Sequence, residues 1–385
     1  MKKYKFTGEK KVLNGVTLQR IVAVMDFYAQ KPYNPDAFDE FEYRIINKGT
    51  LGGWLESEEN LSHEGFAWVA DEACVYGKAK VIEGGLVYGE AQIFDHARIE
   101  NYARIFDRAA VHGEATITCR AAIWGDAVVS CGYISDDANI YGNAQLIGDG
   151  SISVGGSAEI CDYALIDSRT DGSIIIGDCA MICGNAIVLE DPQAEQGEIN
   201  IAGRVKISGE AIIHSGSMIW DEACICDSAQ IFNAEITGSA LICGKTIVQH
   251  DTRIGGHAKI NFTNADEMGA YLLPCIYLAG YAEVNNHSDY FIVDPIALGD
   301  KMFSLIFFRD AKGKAKMTIC RVLYRILHRI GSDSYPISNN IILESLLNDD
   351  FEDDDNVPPE LIETVLALAK IARDRLAQQK TEEQA

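Results

Sequence analysis

The chain has 385 residues, 48% of them hydrophobic, and carries 33 Lys and Arg against 57 Asp and Glu, a formal net charge of −24. So acidic a chain disfavours binding to nucleic acid or to an anionic membrane over most of its surface. The absence of an apolar run of about eighteen residues argues against a transmembrane helix. The 11 cysteines, without a recognisable secretory signal, predict reduced thiols in a cytoplasmic protein.

Residues 1–66 are predicted to form an N-terminal β cap. Strands within KYKF and TLQRIVAVMDF flank Asn14-Gly15, a dipeptide that favours a tight hairpin turn. The polar stretch 28–48 contains Pro32 and Pro35 and is predicted to be an inserted loop. A cap is expected because the open end of a stacked sheet would otherwise pair with other chains.

Residues 67–288 are predicted to form a parallel β-helix built from six-residue repeats. A small residue recurs at every sixth position from Ala73 to Ala127, and a β-branched residue follows each one two positions later. Within each repeat these two side chains share one face of a short strand, so both point inward. Three repeats make one three-sided turn, here called a coil, which stacks on the next with like residues aligned. The predicted inward residues are Val75, Val81, Val87, Ile93, Ile99, Ile105, Val111, Ile117, Ile123 and Val129.

The phase of the repeat slips after Val129 and then resumes. The slips fall near 131–137, 148–157, 167–173 and 190–198, and they are interpreted as loops or bulges at the corners of the coils. Between the slips, Ala and Ile or Val return at the same two-residue spacing as far as Ile260. The whole pattern predicts about ten or eleven coils.

Residues 289–378 are predicted to form a small α+β domain, followed by a disordered tail at 379–385. DYFIV, KMFSLIFFRD and AKMTIC are typical of strands, with a turn at Lys312-Gly313. The apolar spacing in RVLYRILHRI predicts a helix, and a second helix is predicted at 341–347. After the acidic loop DDFEDDDN, Pro358-Pro359 is predicted to open a last helix that ends near Leu376.

The six-residue repeat resembles that of hexapeptide-repeat proteins, which implies that the coil is left-handed. The run LGGWLESEENLSHEGFAWVADEACVYG at 51–77, preceded by TLQRIVAVMDF at 17–27, resembles the start of YdcK-like bacterial and phage proteins. The resemblance covers about residues 1–290, and the 28–48 insertion departs from the compact cap of that family. It implies a left-handed β-helix and no established activity, and it provides no catalytic residues to transfer.

Aromatic residues recur every eighteen positions directly after inward residues, so they should stack outside the coils. Tyr88, Phe106 and Trp124 form one predicted column, and Tyr76 and Phe94 form another that continues into His112. Outward Arg104 can stack on the rings of the first column. Exposed aromatic rows indicate a contact surface for a protein partner or for self-association. The alternatives are that the chain's own cap or tail covers them, or that they only stabilise the sheet.

The hypothesis favoured by these patterns is a non-catalytic solenoid scaffold that presents surfaces for protein contacts and needs no cofactor. The alternative is an acyltransferase of the hexapeptide type that uses acetyl-CoA, with outward His112 or His214 as the general base. The fold alone cannot decide between the two functions. A trimer with a groove for coenzyme A between subunits would favour the transferase.

Two further clusters have weaker functional interpretations. Cys224 and Cys226 both point outward on one strand and are candidate zinc ligands, although no second pair at matching spacing accompanies them. A basic patch is predicted in the C-terminal domain and could bind phosphate or nucleic acid, or could simply neutralise the acidic loop. Its residues are Lys312, Lys314, Lys316, Arg321, Arg325 and Arg329.

Overall fold

The structure, a computed structural model, is mainly β and divides into two compact units, residues 1–216 and 217–385. No helix in the described part of the chain is long and apolar enough to cross a membrane. The structure describes residues 2–32, 43–169, 172–190, 197–249, 252–263, 270–272, 277–278, 281–298, 301–309, 315–318, 340–342, 367, 370, 371 and 374.

The first unit opens with the predicted β hairpin. Strand β1 (Tyr4–Leu13) pairs antiparallel with β2 (Val16–Ala23) through a turn in which Asn14 and Gly15 both have positive φ, at 52° and 82°. These angles suit a two-residue hairpin, which explains the Asn-Gly dipeptide. Strand β2 also pairs antiparallel with β5 (Leu51–Leu55), which joins the hairpin to the stacked coils.

The prediction of a loop across 28–48 is wrong at both of its ends. Strand β3 (Phe27–Gln30) pairs antiparallel with β4 (Tyr43–Ile46), so the two prolines fall between two paired strands rather than in one long loop. Residues 33–42, between them, lie outside the described residues. A short 3₁₀ turn, Glu58–Asn60, is closed by a capping box from Ser57 and leads into the first coil.

Three parallel sheets form the sides of the coils in the first unit, as the repeat predicts. The first sheet contains β5, β7 (Cys74–Val75), β10 (Gln92–Ile93), β13 (Ala110–Val111), β16 (Val128–Val129), β19 (Gln145–Gly148), β22 (Leu165–Ser168), β25 (Ile187–Leu189) and β28 (Ile212–His214). The second contains β8 (Lys80–Val81), β11 (Arg98–Ile99), β14 (Thr116–Ile117), β17 (Tyr133–Ile134), β20 (Ser151–Val154), β23 (Ser173–Ile176) and β26 (Ile199–Ile201). The third contains β6 (Trp68–Val69), β9 (Leu86–Val87), β12 (Arg104–Ile105), β15 (Ala122–Ile123), β18 (Asn139–Ile140), β21 (Glu159–Ile160), β24 (Met181–Ile182) and β27 (Lys206–Ile207).

The ten predicted inward residues between Val75 and Val129 all have 0% exposure, and so do the nine alanines of the same series. Stacked in register, these side chains form an apolar interior, and burial of that area stabilises the coils. The handedness of the coil remains a prediction from the hexapeptide resemblance.

The phase slips are coils of altered length rather than breaks in the fold. The predicted loops at 131–137 and 148–157 contain strands β17 and β20, which keep their place in the second sheet. Their inward residues, Ile134 and Val154, are fully buried although the alanine series is interrupted there. The changes in length fall at corners, so the stacking of the three sides continues.

Turns between the sides repeat one hydrogen bond. An aspartate with positive φ accepts, through Oδ2, a hydrogen bond from the backbone N–H of a glycine in the next coil. A short polar side chain in the left-handed region tolerates this geometry better than a branched one. In the first unit the pairs are Asp71 with Gly89, Asp95 with Gly113, Asp107 with Gly125, Asp136 with Gly156, Asp162 with Gly184 and Asp178 with Gly203.

The second unit has the same three-sided architecture. One side contains β29 (Met218–Ile219), β32 (Ala234–Ile236), β35 (Thr252–Ile254) and β37 (Tyr277–Leu278). A second side contains β30 (Cys224–Ile225), β33 (Leu241–Gly244), β36 (Lys259–Phe262) and β38 (Glu283–Val284). The third side contains β31 (Gln230–Ile231) and β34 (Ile247–Val248). The predicted inward residues from Ile219 to Ile260 are buried. Asp221 and Asp227 bond Gly238 and Gly244 in the same way as the aspartates of the first unit.

An antiparallel sheet follows a second 3₁₀ turn, His287–Asp289. Its strands, in spatial order, are β39 (Tyr290–Leu298), β40 (Lys301–Arg309), β41 (Ala315–Thr318) and β42 (Asn340–Ile342). The first three confirm predicted strands, whereas β42 contradicts the start of the helix predicted at 341–347. Of the last predicted helix, Ala367, Lys370, Ile371 and Asp374 are helical. The helix predicted at 321–330, the acidic loop and the tail lie outside the described residues.

Candidate functional site

The third sheet of the first unit carries a stack of four aromatic rings, here called the aromatic ladder: Tyr88, Phe106, Trp124 and Tyr141. Successive ring centroids lie 4.9, 5.5 and 4.5 Å apart, and the ring planes are within 8° of parallel. Each ring directly follows a strand of the third sheet, so the spacing of the stacked strands sets the spacing of the rings. The stacking of the first three rings follows from the eighteen-residue spacing. Sequence reasoning missed Tyr141, because its coil is one residue shorter.

The rings differ in exposure along the ladder. Phe106 is 9% exposed, whereas Tyr88, Trp124 and Tyr141 are partly exposed. The Tyr141 hydroxyl donates to Glu159 Oε2 at 3.3 Å. Burial raises the pKa of Tyr141, and the neighbouring Cys161 thiol adds to the shift.

Polar and aromatic side chains flank the ladder on the same face. Arg104 lies half-buried on β12, two residues before Phe106. Arg108 forms two hydrogen bonds of 2.6 Å with the Asp126 carboxylate in the next coil, which links two rungs through exposed side chains. One coil beyond Tyr141, Tyr163 extends from the turn after Cys161 and is 65% exposed.

The chain's own cap covers the beginning of the third sheet. Outward Trp68 is fully buried, and its ring meets Phe27 of β3 edge-on at 5.2 Å. The Gln30 amide, at the end of β3, donates to the carbonyl of Gly84. These contacts lie before Tyr88, and the rings that a partner could reach are the partly exposed Tyr88, Trp124 and Tyr141, together with exposed Tyr163.

The start of the second predicted aromatic column is covered by the N-terminal cap. The rings of Tyr76, Phe94 and His112 stack at 5.1 and 4.6 Å, as predicted. Tyr76, however, packs against Leu18 and Trp54 and is only 6% exposed. The alternative that the cap covers an aromatic row therefore applies to the start of this column, while Phe94 and His112 stay partly exposed.

The two candidate catalytic histidines do not meet. The His112 ring is stacked on Phe94, and its Nδ1 lies 3.7 Å from the Asp95 carboxylate. His214 is half-buried at the end of β28, paired with Leu189. The strand register puts the two histidines five coils apart on the first sheet, about 24 Å at the usual spacing of stacked strands.

The second unit contains a cluster of two thiols and a carboxylate. One ligand atom each from Cys226, Asp227 and Cys243 lies within 4.8 Å of the other two. Of the two predicted ligands, Cys226 belongs to this cluster, whereas Cys224 lies opposite Leu241 and is not part of it. Burial raises the pKa of Cys226 to about 12, and the neighbouring Cys243 and Asp227 add to the shift. The seventeen-residue spacing of Cys226 and Cys243 is the sequence signal for this pair.

The predicted basic patch is largely outside the described residues. Lys316 lies on β41. Lys312, Lys314, Arg321, Arg325 and Arg329 lie in parts of the chain that the structure does not describe.

Comparison with known proteins leaves the family open. No protein-family model matches the chain, and no curated protein matches it. The fold is that of a parallel β-solenoid, which is consistent with a β-helix family, and the resemblance to YdcK-like proteins remains a prediction.

Proposed function

We propose that the chain is a non-catalytic β-solenoid that binds a partner protein through the exposed part of the aromatic ladder. The observation that supports this proposal is the parallel stack of four rings on one sheet, with partly exposed Trp124 and Tyr141 beside exposed Tyr163. Rings held in register by a sheet lose little side-chain freedom on binding, so more of the contact energy appears as affinity.

The composition of this surface is that of a binding hot spot. Trp, Tyr and Arg dominate the energetics of protein interfaces, and Trp124, Tyr141 and Arg104 lie on neighbouring rungs of one sheet. A guanidinium can also stack on an aromatic face. The salt bridge between Arg108 and Asp126 lies at the edge of the surface, where exposed charges contribute little to stability.

The negative charge of the chain limits which kinds of protein could bind the aromatic ladder. The net charge is −24, and the exposed carboxylates of Glu90, Asp107 and Asp126 lie along the edge of the ladder. A second copy of so acidic a chain would be repelled, whereas a basic surface would be attracted. The proposed partner is therefore a protein that presents apolar or aromatic anchors within a basic rim.

The acyltransferase alternative has no comparable observation in its favour. His112 is stacked on Phe94 in a column of rings, and His214 is half-buried at the end of β28. An acyltransferase of this type would bind acetyl-CoA, and the effect of acetyl-CoA on thermal unfolding of the chain can test for that binding.

Site-specific photocrosslinking in the native cells would test the proposed surface. A photoreactive phenylalanine analogue is placed at Tyr163, and separately at Tyr133, which is 50% exposed on the second sheet and serves as the matched control. We expect a crosslinked basic protein from position 163 and none from position 133. The double variant Trp124→Ala/Tyr141→Ala should lose the adduct, and raised salt should weaken it.

Several results would contradict the proposal. The adduct at position 163 could be a second copy of this chain, which would show self-association. The same protein could be captured from position 133, or the adduct could survive the double variant, and either result would place the contact elsewhere. Circular dichroism of the double variant should be unchanged, because the ladder lies outside the apolar interior.

A further inference from the structure

We propose that Cys226, Cys243 and Asp227 form a site for one thiophilic divalent metal ion of the zinc class, on the outer face of the second unit. The three residues lie on adjacent coils and their ligand atoms are all within 4.8 Å of one another. This site is separate from the aromatic ladder, and its existence does not depend on the proposed partner.

The strand register brings the two thiols together. Cys224 and Ile225 of β30 lie opposite Leu241 and Ile242 of β33, and Cys226 N donates to Ile242 O at 2.9 Å. Cys226 therefore lies beside Cys243, one coil further along the same column. Tetrahedral zinc, with Zn–S near 2.3 Å and Zn–O near 2.1 Å, needs ligand atoms about 3.6–3.8 Å apart. The observed group has to close by about 1 Å at most, which a small side-chain rotation can supply.

A backbone hydrogen bond positions the carboxylate. Asp227 has φ of 57°, and its Oδ2 accepts a hydrogen bond from Gly244 N at 2.9 Å. An ionised carboxylate has about four acceptor positions on its two oxygens, so this hydrogen bond leaves capacity for a metal ion. Other aspartates in the turns make the same hydrogen bond. Among the aspartates in the described part of the chain, Asp227 is the one with two thiols beside it.

An amide oxygen supplies an independent indication of a cation. Asn261 lies opposite Cys243 in the next coil. Its Oδ1 is buried and, within the part of the chain that the structure describes, has no hydrogen-bond donor. The same oxygen lies 2.5 Å from the point that a Cβ on Gly244 would occupy, beside the glycine that holds Asp227. A buried acceptor without a donor is costly, and a bound cation would satisfy it.

The donor set selects the class of ion. Thiolates favour zinc and other soft ions, whereas Mg²⁺ and Ca²⁺ require oxygen ligands. Two sulfurs with one carboxylate, completed by the Asn261 oxygen or by water, correspond to a four-coordinate zinc-type site. Because the ligands come from successive coils, a bound ion would join these coils together and stabilise this part of the second unit.

Titration of the reduced full-length protein with Co²⁺ and with Cd²⁺, in the absence of oxygen, would test the site. The readouts are the thiolate-to-metal charge-transfer absorption and the melting temperature. We expect wild type to bind one equivalent of metal ion and to melt at a higher temperature when the ion is bound. Cys226→Ser and Cys243→Ser should each lose both the binding and the rise in melting temperature. Cys224→Ser, two residues before Cys226 but outside the cluster, should keep both the bound metal and the rise in melting temperature, as should Cys179→Ser in the first unit.

A substitution of Asp227 separates metal binding from turn structure. Asp227→Asn can still accept the hydrogen bond from Gly244, so the turn should persist while the charge of the ligand is lost. We expect binding to weaken by at least about tenfold with the charge-transfer band retained, because a changed ligand should cost no less than the 10–100-fold loss that is usual for a changed outer-shell partner.

Protection of wild-type thiols gives a second measurement that does not depend on the folding of any variant. Saturating Zn²⁺ should slow alkylation of Cys226 and Cys243, located by mass spectrometry of the peptides, more than alkylation of Cys224. The proposal is overturned if these two thiols react equally with and without Zn²⁺. It is also overturned if Cys226→Ser and Cys243→Ser bind the metal as wild type does.

Discussion

Single residues anchor the N-terminal hairpin to the coils, and Lys3 is the clearest case. Its ammonium is buried, donates to the carbonyl of Ala67 at 2.7 Å and lies 5.4 Å from the centre of the Phe27 ring. Burial in this position lowers the pKa of Lys3 from 10.5 to about 8. Between these two values the unfolded chain binds more protons than the folded chain, so stability contributed by this group rises with pH.

The pH dependence of this residue can be measured as a difference. Below about pH 8, the Lys3 ammonium of wild type is charged and its burial lowers the unfolding free energy by the full amount. Above about pH 10.5 the group is neutral in both the folded and the unfolded chain, so this free-energy cost disappears. Relative to Lys3→Met, the unfolding free energy of wild type should therefore increase by up to about 3 kcal/mol from pH 7 to 10.5, because a tenfold difference in proton affinity corresponds to about 1.4 kcal/mol. Urea denaturation at each pH measures this, with Lys5→Met as the control for net charge. A difference between wild type and Lys3→Met that stays constant with pH would contradict the prediction.

Several residues mark where the sequence stops being informative. The ten inward residues from Val75 to Val129 could be predicted because alanine and the β-branched residue recur at fixed spacing. Ile134 and Val154 could not, because their coils differ in length and lack the alanine. Tyr141 escapes prediction because its coil is one residue shorter, and the seventeen-residue spacing of Cys226 and Cys243 differs from the eighteen-residue period in the same way.

At the scale of elements, the turns add to the strands in holding neighbouring coils in register. Most strands in the coils are only two residues long, so each provides few backbone hydrogen bonds. The aspartate-to-glycine hydrogen bonds add a link at the corners, where the chain passes through left-handed backbone conformations. The β3–β4 hairpin could not be predicted because Pro32 and Pro35 favour a loop, yet one strand ends before the prolines and the other begins after them.

One glycine in a turn and one outside it form a matched pair for testing this role. Gly113 has φ of +60°, and a Cβ there would overlap the carbonyl oxygen of Ser130 in the next coil. Gly113→Ala should lower stability by about 1–3 kcal/mol, because backbone strain and this overlap add together. A Cβ at Gly177 would meet no atom within 4 Å.

Gly177→Ala should therefore change the unfolding free energy by less than about 1 kcal/mol, with stabilisation the expected sign. Thermal and urea unfolding of both variants measure the contrast. Equal effects at the two positions would mean that the turns do not constrain the register of the coils.

At the scale of the whole molecule, the fold is compatible with either a scaffold or a transferase. A β-solenoid offers long, flat faces, and its function depends on which side chains those faces present. Here the cap covers the start of one aromatic column and the start of another sheet, while Tyr88, Trp124, Tyr141 and Tyr163 remain on the surface to different degrees. This distribution could not be derived from the repeat, because it depends on how the N-terminal strands fold back on the coils.

Ligand-dependent melting separates the two functions for the intact chain. A ligand that binds only the native state must raise the melting temperature. We expect millimolar acetyl-CoA to leave the melting temperature of wild type unchanged, as measured by differential scanning calorimetry. An upward shift that disappears in His112→Ala or His214→Ala would instead support acyl transfer. A shift that survives both substitutions would indicate binding at another place and would also contradict the expectation.

The aspartate-to-glycine bonds also bear on how such a chain can change length during evolution. In the first unit the bonded residues are separated by 18, 20, 22 and 25 positions, although the hydrogen bond stays between 2.9 and 3.3 Å. In the second unit the separation falls to 17. Insertions and deletions at the corners are thus absorbed without shifting the next coil. A designer could graft new peptide segments at these corners, and natural relatives could diverge there until a fixed sequence period no longer identifies them.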